Sequence, residues 1–139
     1  MSAHLKEKEE KILQVLESLA EESTKGTPII VEGKKDIETL RALAVEGKII
    51  SAKTGGKSLL DVISQVEKTG AREVILLLDF DRRGKELTKR IKRQLENLRI
   101  KPNIIFWRAL FTLVGKEVKD IEGLTAYMET LKRKVHNIT

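Results

Sequence analysis

Two carboxylates, Asp79 and Asp81, stand at the end of an unbroken apolar run, Val74–Leu78, and are followed by Arg82, Arg83 and Gly84. A short continuous apolar run bounded by polar residues predicts a strand buried on both faces, as in a parallel sheet. Ligands of open α/β sheets sit beyond the carboxyl ends of the strands, where these two acids fall. Alternate residues of an extended chain project to the same side, so the two acids repel and call for a cation between them. A hard divalent ion meets that need, because Mg²⁺ takes one or two carboxylates together with waters and phosphate oxygens. A second apolar run, Ile29-Ile30-Val31, ends in Glu32-Gly33, with Asp36 one helical turn further on. A parallel sheet puts both strand ends on one rim, so Glu32, Asp36, Asp79 and Asp81 can converge. Metal-assisted phosphoryl transfer uses such acids to hold ions that neutralise phosphate and place an attacking oxygen, most fully with two ions. A nearby glutamate can instead move a proton.

Each of these residues also has a purely structural reading. Asp79 and Asp81 can end a strand and cap a helix. Asp36 can stabilise a helix N-terminus, and Glu32 can be a solvated turn residue. Lys34 and Lys35 reach toward phosphate or form a solvated helix start. Arg82 and Arg83 adjoin the acids, and arginine binds phosphate in bidentate fashion. The run Lys53-Thr54-Gly55-Gly56-Lys57-Ser58 lacks the GxxxxGK[ST] spacing of a P-loop and is read as a mobile basic loop beside the crevice. Lys85, Lys89, Arg90, Lys92 and Arg93 form a basic stripe, read as a solvated outer face balanced by Glu86 and Glu96. Asp120 and Glu122 rank below the first four acids, Asp120 being read as a helix cap. Phe106 and Trp107 are assigned to the core.

The elements that must position these residues alternate along the chain. Leu5, Ile12, Leu13, Val15, Leu16, Leu19 and Ala20 recur at helical spacing over 4–22 and predict an amphipathic helix lying on the domain. Strands are expected at 29–31, 48–52, 73–78 and 103–107. Helices are expected at 34–44, 58–68, 84–98, 109–114 and 124–135, with a polar connection over 115–123. Strands separated by helical patterns imply a parallel sheet with right-handed crossovers.

The 139 residues fit one domain able to bury a core, and 35% charged residues beside 40% hydrophobic ones describe a globular chain. Cysteine is absent, which excludes disulfides, thiolate catalysis and Cys-based zinc sites. Both histidines, His4 and His136, lie near the termini, which argues against a His-based metal site. The net charge of +6 suits a polyanionic partner. Aromatic residues are only 4% of the chain, so no aromatic platform for base stacking is advertised. The charged N-terminus and the lack of a long apolar run point to a cytoplasmic protein with no membrane span.

The Glu-Gly at the end of one apolar strand and the Asp-x-Asp with its following glycine at the end of another closely resemble the Toprim domain. That domain is shared by DnaG-type primases, topoisomerases, some nucleases and ribosomal RNA maturases. The resemblance covers about 27–108, and the overall look is most similar to small stand-alone archaeal Toprim proteins. It implies a compact Rossmann-like α/β fold: a four-stranded parallel sheet flanked by helices. The N-terminal helix of 1–26 and a C-terminal helical extension of 109–139 are added to it. It further implies Glu32 as a metal ligand or proton-transfer group, Asp79 and Asp81 as metal-binding aspartates, and Asp36 as an acidic position of primase-like members. Gly33 is expected to turn the backbone tightly beside the metal. The extra domains of primases and topoisomerases are missing, and the sole tyrosine, Tyr127, falls in a predicted core seam.

The expectation is therefore a Mg²⁺-dependent protein, using one or two ions for which Mn²⁺ can substitute, that acts on nucleic acid, RNA before DNA. It would cleave phosphodiesters or carry out a related transfer, with Lys34, Lys53, Arg82 and Arg83 on phosphate. The alternative is a binding module of an RNA-processing assembly that uses the same metal but breaks no bond. A homodimer through the first or last helix is open on either reading.

Overall fold

A computed structural model describes residues 2–53, 56 and 58–136. The elements are α1 (Ser2–Thr24), β1 (Ile29–Val31), α2 (Lys34–Ala42), β2 (Ile49–Ser51) and α3 (Leu59–Thr69). They continue with β3 (Glu73–Leu77), α4 (Arg82–Asn97), β4 (Lys101–Asn103), α5 (Ile105–Val114) and α6 (Leu124–His136). The four strands pair in parallel in the order β2-β1-β3-β4. This is the expected Rossmann-like arrangement with an added N-terminal helix.

The strands are too short to hold together through backbone bonds alone, and their alternation explains why they do. Ile29, Val31, Ile75 and Leu77 face a core shared with Ile12, Leu16 and Leu19 of α1, Leu40 of α2, Leu110 of α5 and Leu131 of α6. Ile30, Leu76 and Leu78 face the opposite core, with Val62 and Val66 of α3 and Ile91 and Leu95 of α4. Both faces are therefore buried, as the continuous apolar runs require. The helix after β1 packs on one face and the helix after β3 on the other, while β1 and β3 lie side by side. Adjacent strands whose helices leave in opposite directions open a crevice at their carboxyl ends, the usual ligand position in such sheets.

One element differs from the sequence expectation. The strand expected at 103–107 is displaced to 101–103, and α5 begins at Ile105. Phe106, Leu110 and Val114 are buried at four-residue intervals, a helical stripe. Asn103 Oδ1 accepts the Ile105 N–H at 2.9 Å and starts the helix. Pro102, which reads as a breaker, sits instead within the edge strand β4, where a missing N–H can face solvent. The connection over 115–123 is also less polar inside than its composition suggests, since Val118 and Ile121 are buried.

Candidate functional site

Glu32 directly follows β1, and Asp79 lies two residues past β3. Because Val31 pairs with Leu77, both acids emerge at the same level, in the crevice between the two strands. Glu32 is buried and Asp79 half-buried. The Asp79 backbone N–H donates to Glu32 Oε1 at 3.3 Å, and Lys53 Nζ donates to Glu32 Oε2 at 2.9 Å. Burial, the neighbouring Glu32 carboxyl and the negative charges of Asp36 and Asp120 push Asp79 up from 3.8 to about 8. Near neutral pH and without a cation, Asp79 therefore favours its protonated form.

The remaining acids are placed differently. Asp36 is buried on the first turn of α2, and both its oxygens have backbone partners. Oδ2 accepts the Gly33 N–H at 2.9 Å, and Oδ1 accepts the Glu122 N–H at 2.9 Å, 86 residues away. Burial raises Asp36 as well, and these two hydrogen bonds oppose the rise. Asp81 caps α4, accepting the Gly84 N–H on Oδ1 at 2.8 Å, and is exposed. Asp120 accepts the Gly123 N–H at 2.8 Å and so closes the turn ahead of α6 rather than capping the helix as expected, while its charge also acts on Asp79 and Asp36. Glu122 is exposed and lies 3.8 Å from Lys35.

Among the basic candidates, Lys53 alone is tied to the acid pair. Arg82 reaches Glu86 at 3.3 Å on its own helix, and Lys34 and Arg83 are exposed at the starts of α2 and α4. Thr54, Gly55 and Lys57 of the basic loop lie outside the described residues.

The glycines reverse their expected importance. Gly33 is extended (φ −135°), a conformation open to any residue, and a side-chain carbon there would meet only Asp36 Oδ2 at 3.8 Å. Gly84 has no such room: a Cβ would lie 2.6 Å from the carbonyl carbon of Asp79. The first turn of α4 thus presses directly against the backbone of Asp79, and only glycine permits it. Two further supports were not legible in the sequence. Trp107 Nε1 donates to Leu78 O at 2.8 Å, and the Phe80 N–H donates to Lys119 O at 2.6 Å. Both pin the segment carrying Asp79 from residues remote in the chain.

The donors around the crevice are hard oxygens, the class that suits magnesium rather than a softer metal. Among the described residues no three acidic or imidazole groups are gathered around one point. The assembled part of a shell is thus the Glu32–Asp79 pair, within the one or two carboxylates that magnesium commonly takes from protein. A strand-end carboxyl whose charged form is disfavoured by burial and a neighbouring glutamate is one that a hard cation would relieve.

A strand-end glutamate beside a strand-end aspartate, at the reversal point of a four-stranded parallel sheet, is the arrangement in which an α/β domain takes its ligand. The chain belongs to the Toprim domain family, whose model matches residues 27–107. Members of that family typically bind Mg²⁺. Over most of its length the chain further groups with the archaeal UPF0292 proteins. It is 38% identical over 125 residues to the UPF0292 protein of Methanosarcina acetivorans, covering 90% of this chain and 85% of that one. It is 41% identical over 120 residues to the UPF0292 protein of Methanocaldococcus jannaschii, covering 86% and 91%. A solved structure of an Aquifex aeolicus protein superposes with a TM-score of 0.66 at 26% identity, covering 78% of this chain and 94% of the other. No helix among the described residues is long and apolar enough to cross a membrane.

Proposed function

We propose that this protein is a Mg²⁺-dependent enzyme that cleaves or transfers phosphodiesters in nucleic acid, RNA before DNA. The observation that carries the proposal is the Glu32–Asp79 pair, a buried and a half-buried acid at the crevice where an α/β sheet takes its ligand. Glu32 and Asp79 would hold the ion, and Asp81 would join them by turning from its cap on Gly84. Magnesium, when bound, supplies the positive charge that lets both acids ionise and that neutralises the phosphate.

The chain's own residues do the rest. Lys53 balances Glu32 in the ion-free site and is positioned to pass to a phosphate oxygen once Glu32 has another partner. Arg83 and Lys34, exposed at the two helix starts, would meet the flanking phosphates, joined by Arg82 on release from Glu86. Asp36 acts as a positioning residue, joining the start of α2 to the backbone at Glu122. In this reading 27–108 forms the reactive core, and the flanking helices back it or face a partner in an RNA-processing assembly.

The test is incubation of the purified chain with labelled single-stranded and structured RNA and DNA, with Mg²⁺ or Mn²⁺, beside Asp79→Asn. Metal-dependent cutting that disappears in the variant supports the enzyme. Metal-dependent binding without cutting would make the chain a binding module with the same ion site. Neither binding nor cutting at low salt would overturn the proposal.

A further inference from the structure

Between α4 and α5 lies a groove of about 370 Å³ whose walls combine cations with aromatic rings. Lys85, Lys89 and Lys92 follow the i, i+4, i+7 spacing that puts them on one face of α4, and Trp107, Arg108 and Phe111 form the facing wall. No carboxylate lines the groove, and among the described residues none of its four cations is ion-paired. The basic stripe therefore does not form one uniform outer face: three of its lysines line this groove, while Arg90 and Arg93 do not.

Sparse aromatic content hides a concentration at this point. Phe80, Trp107 and Phe111 form a cluster with ring centroids 5.2 to 5.9 Å apart. Lys85 Nζ stands 4.5 Å over the Phe111 ring. Trp107 and Phe111 are half-buried, so each offers surface to the groove. The cluster is also joined to the acid site. Phe80 lies between Asp79 and Asp81 in sequence, and Trp107 holds the carbonyl of Leu78, the residue before Asp79.

We propose that this groove holds a single-stranded nucleic-acid segment on its way to the Glu32–Asp79 pair. Phosphates would rest on Lys85, Lys89, Lys92 and Arg108, and a base against Trp107 and Phe111. The inference rests on the nucleic-acid reading above and adds to it the path and the unpaired state of the strand. Cations tracking a backbone beside rings that accept any base face are the usual means of holding single strands. A duplex keeps its bases stacked and out of reach of rings set inside a narrow groove.

Trp107 is the only tryptophan, so its emission reports on the groove directly. Oligo-U and oligo-dT of ~12 nucleotides would be titrated at low salt without divalent ion, following both Trp107 emission and anisotropy of a label on the strand. The expected result is quenching by single strands, with weak response to a matched duplex and to UMP. The double variant Lys89→Ala/Lys92→Ala should lose roughly tenfold or more in affinity and lower the salt slope by about 1.4, or about 0.7 per lysine. Asp79→Asn should still bind and quench. Strand binding with unchanged Trp107 emission and full affinity in the double variant would overturn the groove while leaving the nucleic-acid reading intact. UMP binding as tightly as the oligomer would overturn the strand path. Absence of binding to any nucleic acid, with or without Mg²⁺, would overturn both.

Discussion

Five acids lie along the sheet rim and the turns beside it, and they divide into two kinds. Asp36, Asp81 and Asp120 each accept backbone N–H groups, and each organises a turn or helix start. Glu32 and Asp79 lie together at the crevice, with one lysine and one backbone N–H on the buried Glu32 and, among the described residues, no backbone donor on the half-buried Asp79 carboxyl. The first kind stabilises the fold as it stands. The second is an electrostatically unfavourable arrangement, the kind that clusters at functional sites. Residue type does not separate the two kinds; what each carboxylate faces does.

Neutralising the second kind should have the largest effect. Asp79→Asn is expected to reduce metal-dependent turnover by more than the ~10–100-fold typical of outer-shell changes at metal sites. The same variant should raise the melting temperature without metal near neutral pH, because it removes a carboxyl group that folding must otherwise protonate. A variant that loses both activity and stability would erase the distinction. Next comes Gly84→Ala, which drives a side chain into the Asp79 backbone and should cost about 1–3 kcal/mol or more by denaturant unfolding. Gly33→Ala, at an unconstrained position, should cost under about 1 kcal/mol. Asp36→Ala leaves two backbone donors without their acceptor and should cost about 1–3 kcal/mol, with Mg²⁺ unable to compensate.

A smaller effect concerns pH. Asp79 has a folded value of about 8 against an ordinary 3.8, so the folded chain holds this proton more tightly than the unfolded one. Its contribution to stability is complete below 3.8 and is lost as pH rises through about 8. The metal-free protein should therefore lose stability across that window, and Asp79→Asn should flatten the loss. Mg²⁺ should raise the melting temperature more at the upper end of the window than at the lower. Least of all should Asp81→Ser change stability, since serine also caps helices, although turnover should fall if Asp81 completes the ion's shell.

Much of the site was legible because strand ends are marked in sequence. Ile29-Ile30-Val31 and Val74–Leu78 announce strands buried on both faces, and the acids that follow them must lie at the rim. The adjacency of β1 and β3 was not legible, since nothing local to either strand distinguishes a neighbour from a strand two places away. The β4–α5 junction misled because Ile104, Ile105 and Phe106 form a run that suits a strand or a helix equally. The helical spacing of Phe106, Leu110 and Val114 was the signal that could have decided it. Trp107, assigned to the core, is partly buried and lines a groove, a distinction set by what packs over it.

The stretch from Gly115 to Gly123 has a consequence for any attempt to excise the core. It lies beyond residues 27–107, yet it supplies the Lys119 carbonyl to Phe80, the Glu122 N–H to Asp36 and the charge of Asp120 near Asp79. It works as a clasp closed over the rim from outside the span of the domain family. A fragment ending at 107 would carry every signature residue and still leave the clasp open. Trypsin nicking at the exposed Lys116 or Lys119 should release the same latch in the intact chain, silencing the centre while the sheet beneath it stays folded.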